Sequence, residues 1–180
     1  DGRRISMVLK ATCDNMEGIL EQEVILTAEN GVEIGGMITE DLTLYPDVHY
    51  IVTKPIAVPE GVTITLKPGT VLKFKDDTGL SIAEGAHLIA QGRPDSMIVF
   101  TKADLTDGKI TDKVFILNNK EPILMSYCKF ENLKADYIIL NNVSTSQQLE
   151  HCVFSNNDVY YSIYLDNYGG SASSIGNNLL

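Results

Sequence analysis

The chain is poor in cysteine, in arginine and histidine, and in long apolar runs, and each shortage closes a route. Three cysteines in 180 residues, Cys13, Cys128 and Cys152, are an odd number at wide spacing. They make neither a disulfide framework nor the paired ligands of a zinc site. No apolar run reaches the ~18–20 residues that cross a bilayer as a helix, so no membrane insertion is expected. His49, His87 and His151 are too dispersed for metal-ligand spacing, and there is no Gly-rich phosphate loop and no recognisable Ser/His/Asp arrangement. Basic residues number 14 against 24 acidic ones, a formal net charge of −10. A surface of that sign repels phosphate backbones and anionic membranes, so nucleic acid is not an expected partner. It suits a basic partner, a calcium ion or a neutral glycan, and at its plainest it keeps the protein in solution. No signal peptide is recognisable, and a start at Asp1 reads as a mature or trimmed chain.

What is present is an ordinary globular composition, 44% apolar and 21% charged, long enough for one cored domain with a small appendage. Self-comparison then finds a repeat of about 24 residues. Val58-Pro59-Glu60-Gly61-Val62 aligns with Ile82-Ala83-Glu84-Gly85-Ala86, and Ile64-Thr65-Leu66 with Leu88-Ile89-Ala90. After a two-residue insertion, Val71-Leu72-Lys73-Phe74 falls on Met97-Ile98-Val99-Phe100. A second stretch aligns Cys128-Lys129-Phe130-Glu131-Asn132 with Cys152-Val153-Phe154-Ser155-Asn156. One residue later in phase, Ile139-Leu140-Asn141-Asn142 falls on Tyr164-Leu165-Asp166-Asn167.

Within each repeat, short runs rich in Val, Ile, Thr, Phe and Tyr alternate with turn clusters such as Lys67-Pro68-Gly69 and Gln91-Gly92-Arg93-Pro94, which suits short strands. Strands of three to five residues bury a face only when stacked on copies of themselves, each pairing in parallel with its equivalent one coil above. The fold class expected is all-β, a right-handed single-stranded parallel β-helix with coils of about 24 residues. In Val62-Thr63-Ile64-Thr65-Leu66 the apolar positions alternate, so Val62, Ile64 and Leu66 should point inward beneath Ala86, Leu88 and Ala90. The same register puts Phe74 under Phe100, Phe130 under Phe154, and Cys128 under Cys152 as small core residues. It also pairs Asn132 with Asn156 as an amide ladder at a turn.

The run Ile56-Ala57-Val58-Pro59-Glu60-Gly61-Val62-Thr63-Ile64-Thr65-Leu66-Lys67-Pro68-Gly69-Thr70-Val71-Leu72-Lys73-Phe74, with Gly79 to Ile82, Gly85 to Gly92 and Ile98 to Thr101 after it, resembles a phrase of bacterial right-handed parallel β-helix proteins of pectate-lyase-like fold. The resemblance covers roughly residues 36–167. It implies a secreted or surface-displayed bacterial protein, extracellular in setting, whose phrase opens the helix just after an N-terminal cap. Pectinolytic enzymes and adhesins share this scaffold, so it speaks to fold more than to function.

Residues 1–36 do not fit the repeat and are expected to form the capping segment, with residues 37–180 as the β-helix. Ile5, Met7, Leu9 and Ala11 alternate as in a strand. Val24 to Thr27, Asn30-Gly31 and Val32 to Ile34 read as a hairpin with an Asn-Gly turn. A helix from Asp14 to Ala28, opened by Asp14-x-x-Glu17 and stopped by Gly31, competes with it. Gly18 and the β-branched pair favour strands. Gly169 to Leu180 shows no comparable cap, so continuation of the native chain or cover by another subunit is expected there.

Chemistry is thin. A polysaccharide lyase on this scaffold needs a strong base beside a calcium-holding carboxylate cluster, yet Arg3 and Arg4 are N-terminal and Arg93 sits in a turn. Asp76-Asp77, the only adjacent pair of aspartates, reads as a solvated turn rather than a hydrolytic pair. Two weaker features remain. Asp104, Asp107 and Asp112 lie in one acidic loop that could hold calcium. Six of eight tyrosines fall in the last third; Tyr160, Tyr161, Tyr164 and Tyr168 offer flat faces and hydroxyls for sugar or protein contact, although tyrosine is also simply a good strand residue. The function expected is a non-catalytic cell-surface or secreted module, for adhesion, glycan or host-protein binding or as a rigid stalk. The alternative is a polysaccharide lyase or glycoside hydrolase whose active-site coils lie partly elsewhere.

Overall fold

The computed structural model describes residues 3–11, 20–28, 31–103, 114–120, 123–143, 148–166 and 174–176. The chain divides into two compact units, Asp1–Gly31 and Val32–Leu180. In the first, β1 (Arg3–Ala11) and β2 (Leu20–Ala28) pair antiparallel from Arg3↔Ala28 to Ala11↔Leu20. Residues 24–27 pair with β1 and residues 32–34 with residues 50–52, so these two runs are not each other's partners. The described part of the competing helix, Leu20–Ala28, is a strand as favoured; residues 12–19 and 29–30 lie outside the described residues. The alternating set of β1 matches that of β2, with Ile5 opposite Leu26 and Met7 opposite Val24. This in-register match over nine pairs outweighs the local turn signal.

The second unit is a parallel β-solenoid. Its strands are β3 (Val32–Met37), β4 (Leu42–Leu44), β5 (His49–Val58), β6 (Thr63–Leu66), β7 (Val71–Phe74) and β8 (Leu80–Ile82). They continue as β9 (His87–Gln91), β10 (Ile98–Lys102), β11 (Val114–Lys120), β12 (Ile123–Ser126), β13 (Cys128–Glu131) and β14 (Lys134–Val143). The last are β15 (Gln148–Glu150), β16 (Val153–Ser155), β17 (Asp158–Asp166) and β18 (Ser174–Gly176). Among the described residues there is no helix.

Three ladders form the walls. One runs β4-β6-β9-β12-β15-β18. The second runs from the first half of β5 through β7, β10, β13 and β16, and the third from the second half of β5 through β8, β11, β14 and β17. Strand β5 therefore serves two walls, its His49–Val52 half pairing with β7 and its Ile56–Val58 half with β8. Exposed Lys54 and Pro55 mark the change of wall. Proline has no N–H to give to a ladder, so it fits where pairing is handed over. β3 joins the solenoid by pairing in parallel with β5, Val32 to Tyr50 and Gly36 to Ile56. Neither helices nor hairpins interrupt the described coils, and all pairing in this unit's named ladders is parallel.

The repeat is 24 residues where coils are regular, as in Thr63↔His87, Ile56↔Leu80 and Lys129↔Val153. It is longer elsewhere: Leu80 pairs with Ile116 and Leu88 with Ile123. Inward columns are apolar. Leu44, Leu66, Ala90, Met125 and Leu149 stack on one wall, and Tyr50, Leu72, Phe100, Phe130 and Phe154 on the next. All ten are buried. Val62, Ile64 and Leu66 face inward as expected, with Leu88 over Ile64 and Ala90 over Leu66.

Two expected pairings shift, and a third holds with a different chemistry. Phe100 lies over Leu72, not Phe74, because residues 92–97 hold a tight turn closed by an Arg93–Ser96 bridge. That turn stands outside the repeat and lengthens the offset to Val71↔Val99, four residues beyond 24. The Phe74 and Phe100 rings are consequently 6.4 Å apart, against 4.8 Å for Phe100–Phe130 and 4.9 Å for Phe130–Phe154. In the third wall Ile139 pairs with Ile163 and Leu140 with Tyr164, because keeping Ala135 over Val159 and Ile139 over Ile163 holds the apolar side against the core. At the turn after β13, Asn132 and Asn156 are equivalent, but what they share is left-handed backbone, φ 58° and 54°, which asparagine tolerates. The coil-to-coil amide bonds come from Asn157, whose Nδ2 donates to the Phe130 carbonyl and whose Oδ1 accepts from the Leu133 N–H, both at 2.9 Å.

Corners shorten along the chain. The first wall meets the second through residues 67–70 and 92–97 in the early coils, but through Tyr127 alone, and then through His151 and Cys152, later. A corner this short needs a left-handed backbone, and Tyr127 and His151 have φ 49° and 54°. Their rings stack at 4.6 Å and 6°. Gly92 lies beneath this column, where a Cβ would come 2.4 Å from the Tyr127 carbonyl oxygen. Only glycine lets the two backbones approach so closely.

Candidate functional site

The outward side of the third wall carries the most open aromatic surface described. β14 and β17 pair Lys134 with Asp158, Ala135 with Val159 and Tyr137 with Tyr161. Both strands break the simple in-out alternation at the same rung. On β14, Asp136 and Tyr137 are half-buried while Ile138 and Ile139 are both buried; on β17, Tyr160 and Tyr161 are both exposed before Ser162 and Ile163 turn inward. Two more open residues followed by two more enclosed ones depart from the alternation of a flat strand. At this rung lies a shallow cleft of about 190 Å³ lined by Lys134, Ala135, Asp136, Asp158, Val159 and Tyr160.

Its floor and rim have separate origins. Ala135 is buried and Val159 packs on the core, so the floor is apolar and fixed. The rim starts where the Asn157 side chain clamps Leu133 and Phe130 and the Asp158 N–H donates to the Leu133 carbonyl at 2.9 Å. Lys134 Nζ lies 2.8 Å from Asp158 Oδ2, a solvent-facing ion pair with Asp158 three-quarters exposed. Such a pair contributes little to stability but sets the position of two polar groups. Among the described residues no cation pairs with Asp136. Tyr160 is 82% exposed, and Tyr161, 53% exposed, stacks on Tyr137 at 5.6 Å and 10°.

Tyr160 and Tyr161 are thus brought together on one face. Tyr164 lies on the same strand, opposite Leu140, but its side chain, like the whole of Tyr168, lies outside the described residues. Asp104, Asp107 and Asp112 also lie outside them. Among the described residues, no group of three His, Cys, Asp or Glu side chains is placed to hold a metal ion. Lys134, Asp136 and Asp158 were not singled out by sequence reasoning. The signal available was that the charged residues of β14 and β17 fall in register once the 24-residue offset is applied to them.

Other polar features are structural. His49 and His87 are exposed, with His87 in Thr63's outward place, and His151 is half-buried on Tyr127. Asp76-Asp77 is not a freely solvated pair: Asp77 is exposed, but Asp76 Oδ1 is buried 3.1 Å from Lys102 Nζ. Lys102 occupies an inward position over Phe74, and its side chain is 5% exposed, so its ammonium turns to the nearest carboxylate. Asp76 Oδ1 makes no hydrogen bond of proper geometry, so the attraction is charge to charge.

Cys128 and Cys152 are both fully buried and free. The Cys128 thiol donates to the Ala90 carbonyl at 3.2 Å. Burial pushes this thiol well above its ordinary range, and the hydrogen bond and charge of Cys152 add to the effect. The hydrogen bond from Cys128 lowers Cys152 against the opposing effect of burial. Thiols this enclosed behave as core residues, not nucleophiles. The described outer face of β14 and β17 carries flat rings beside fixed charges. No protein-family model, curated protein or solved structure matches this chain.

Proposed function

We propose that this protein is a non-catalytic binding module, a β-solenoid of the pectate-lyase-like, adhesin-like kind displayed or secreted by a bacterium, and that it holds a glycan on the outer face of β14 and β17. The observation that carries the reading is Tyr160, 82% exposed at the lip of a cleft with an apolar floor and a charged rim. Leaving a tyrosine ring in water forfeits the burial that usually holds it, whereas a sugar's C–H face restores that contact and its hydroxyls reach the neighbouring carboxylates. The floor of Ala135 and Val159 keeps the face rigid, so little ordering is needed on binding. Repetition of the coil supplies a stiff support that holds the face away from whatever carries it.

The test is a glycan array probed with the whole chain and with Tyr160→Ala and Tyr161→Ala variants. A specific hit lost in the variants supports the reading. A blank array overturns it and leaves a spacer role.

A further inference from the structure

We infer that the sugar bound at this cleft carries a free amino group, an inference that rests on the glycan-binding reading above. The cleft holds two carboxylates, Asp136 and Asp158, and one ammonium, Lys134. Lys134 is engaged by Asp158 at 2.8 Å. That leaves Asp136 as an anion on the rung beside Tyr160, with no cation of the described chain paired to it. An ammonium seated between them meets a carboxylate on one side and the electron-rich face of a phenol ring on the other. A neutral sugar uses the ring and offers the carboxylate hydroxyl hydrogen bonds but no opposite charge. An acidic sugar meets Asp136 and a chain of formal net charge −10, which repel it.

Size and shape point to a sugar rather than a lysine side chain. A volume of about 190 Å³ is below the roughly 300 Å³ where drug-sized pockets begin, so it admits one ring with the rest of the ligand outside. The cleft is shallow, with Tyr160 as its single aromatic wall. A thin alkylammonium chain is gripped by aromatic walls on several sides, whereas one flat wall suits the broad face of a pyranose.

The experiment is calorimetric titration of the whole chain with a glucosamine tetramer, its fully N-acetylated form, a galacturonate tetramer and tetralysine. The glucosamine tetramer should bind about three- to fivefold tighter than the N-acetylated form, the scale of one partly exposed ion pair, and galacturonate should not bind. Asp136→Asn should abolish that preference, bringing the two forms to equal affinity. Tyr160→Ala should weaken both forms about tenfold. Both side chains face outward, and unchanged circular dichroism confirms that the variants fold. Equal affinity for the amino and N-acetylated tetramers would overturn the amino-sugar inference and leave glycan binding standing. Tetralysine binding as tightly as the glucosamine tetramer would overturn the assignment to a sugar. No binding of any saccharide would overturn both.

Discussion

Truncating Phe100 tests the core at its most connected point. The ring is fully buried, in register with Leu72 below and Phe130 above, and stacked on Phe130 at 4.8 Å. Phe100→Ala removes a whole aromatic side chain from a site walled by backbone on adjacent coils, which cannot collapse because the ladder bonds fix their spacing. The expected loss is about 3–5 kcal/mol, of which the stacking itself supplies about 0.5–1.5 kcal/mol. Phe154→Ala should cost less, because that ring is 6% exposed and has one stacked partner described. Double-mutant cycles sharpen the point. Phe100 and Phe130 should couple by about 0.5–1.5 kcal/mol, whereas Phe100 and Phe154, two rungs apart, should be additive within about 0.5 kcal/mol. Urea titrations followed by near- and far-ultraviolet circular dichroism give all these values. A loss below about 1.5 kcal/mol for Phe100→Ala, or a Phe100–Phe154 coupling equal to that of Phe100–Phe130, would refute a column built from nearest-neighbour contacts.

Two further outcomes follow from the corner and the thiol pair. Gly92→Ala should destabilise by about 2–3 kcal/mol, since the new Cβ meets the Tyr127 carbonyl and the Ile98 amide, both backbone; an unchanged urea midpoint would show that the corner is not so tight. Cys128 has a folded value raised by burial, so its contribution to stability is complete below the unfolded thiol value of about 8.5 and is lost as the pH rises from there towards the folded one. Cys152 acts in the opposite sense, but the larger shift of Cys128 sets the sign. Urea midpoints measured between neutral and alkaline pH should therefore decline more steeply for the native chain than for Cys128→Ala; parallel curves would show that the thiol does not couple to folding.

The fold was legible in the sequence because a stacked coil repeats its environment, and a repeated environment selects similar residues. Val62, Ile64 and Leu66 against Ala86, Leu88 and Ala90 show this, as do Phe130 and Cys128 against Phe154 and Cys152. The register failed where the chain leaves the wall. Nothing in Arg93-Pro94-Asp95-Ser96 says how many of its residues stand outside the coil, and counting two instead of four moved Phe100 from Leu72 to Phe74. The Asn30-Gly31 turn misled for a different reason: the preference for a tight turn is local, whereas pairing of β2 with β1 and of β3 with β5 is decided by whole strands. The cleft was half legible. Exposed tyrosines stand out by composition, but Lys134, Asp136 and Asp158 become neighbours only through the parallel ladder of β14 and β17.

Strand β5 has a mechanical consequence. Because one continuous strand of ten residues closes two walls of the first coil, tension on the chain before it cannot peel those walls apart one at a time. The load is shared along both rows of hydrogen bonds, with β7 and with β8, and these must shear together or hold. From β6 onward each wall has its own strand, so one row of ladder bonds can open before the next. Pulled from its ends, the solenoid should therefore give way at the coils farther along the chain, with the coil that β5 staples as its firmest grip.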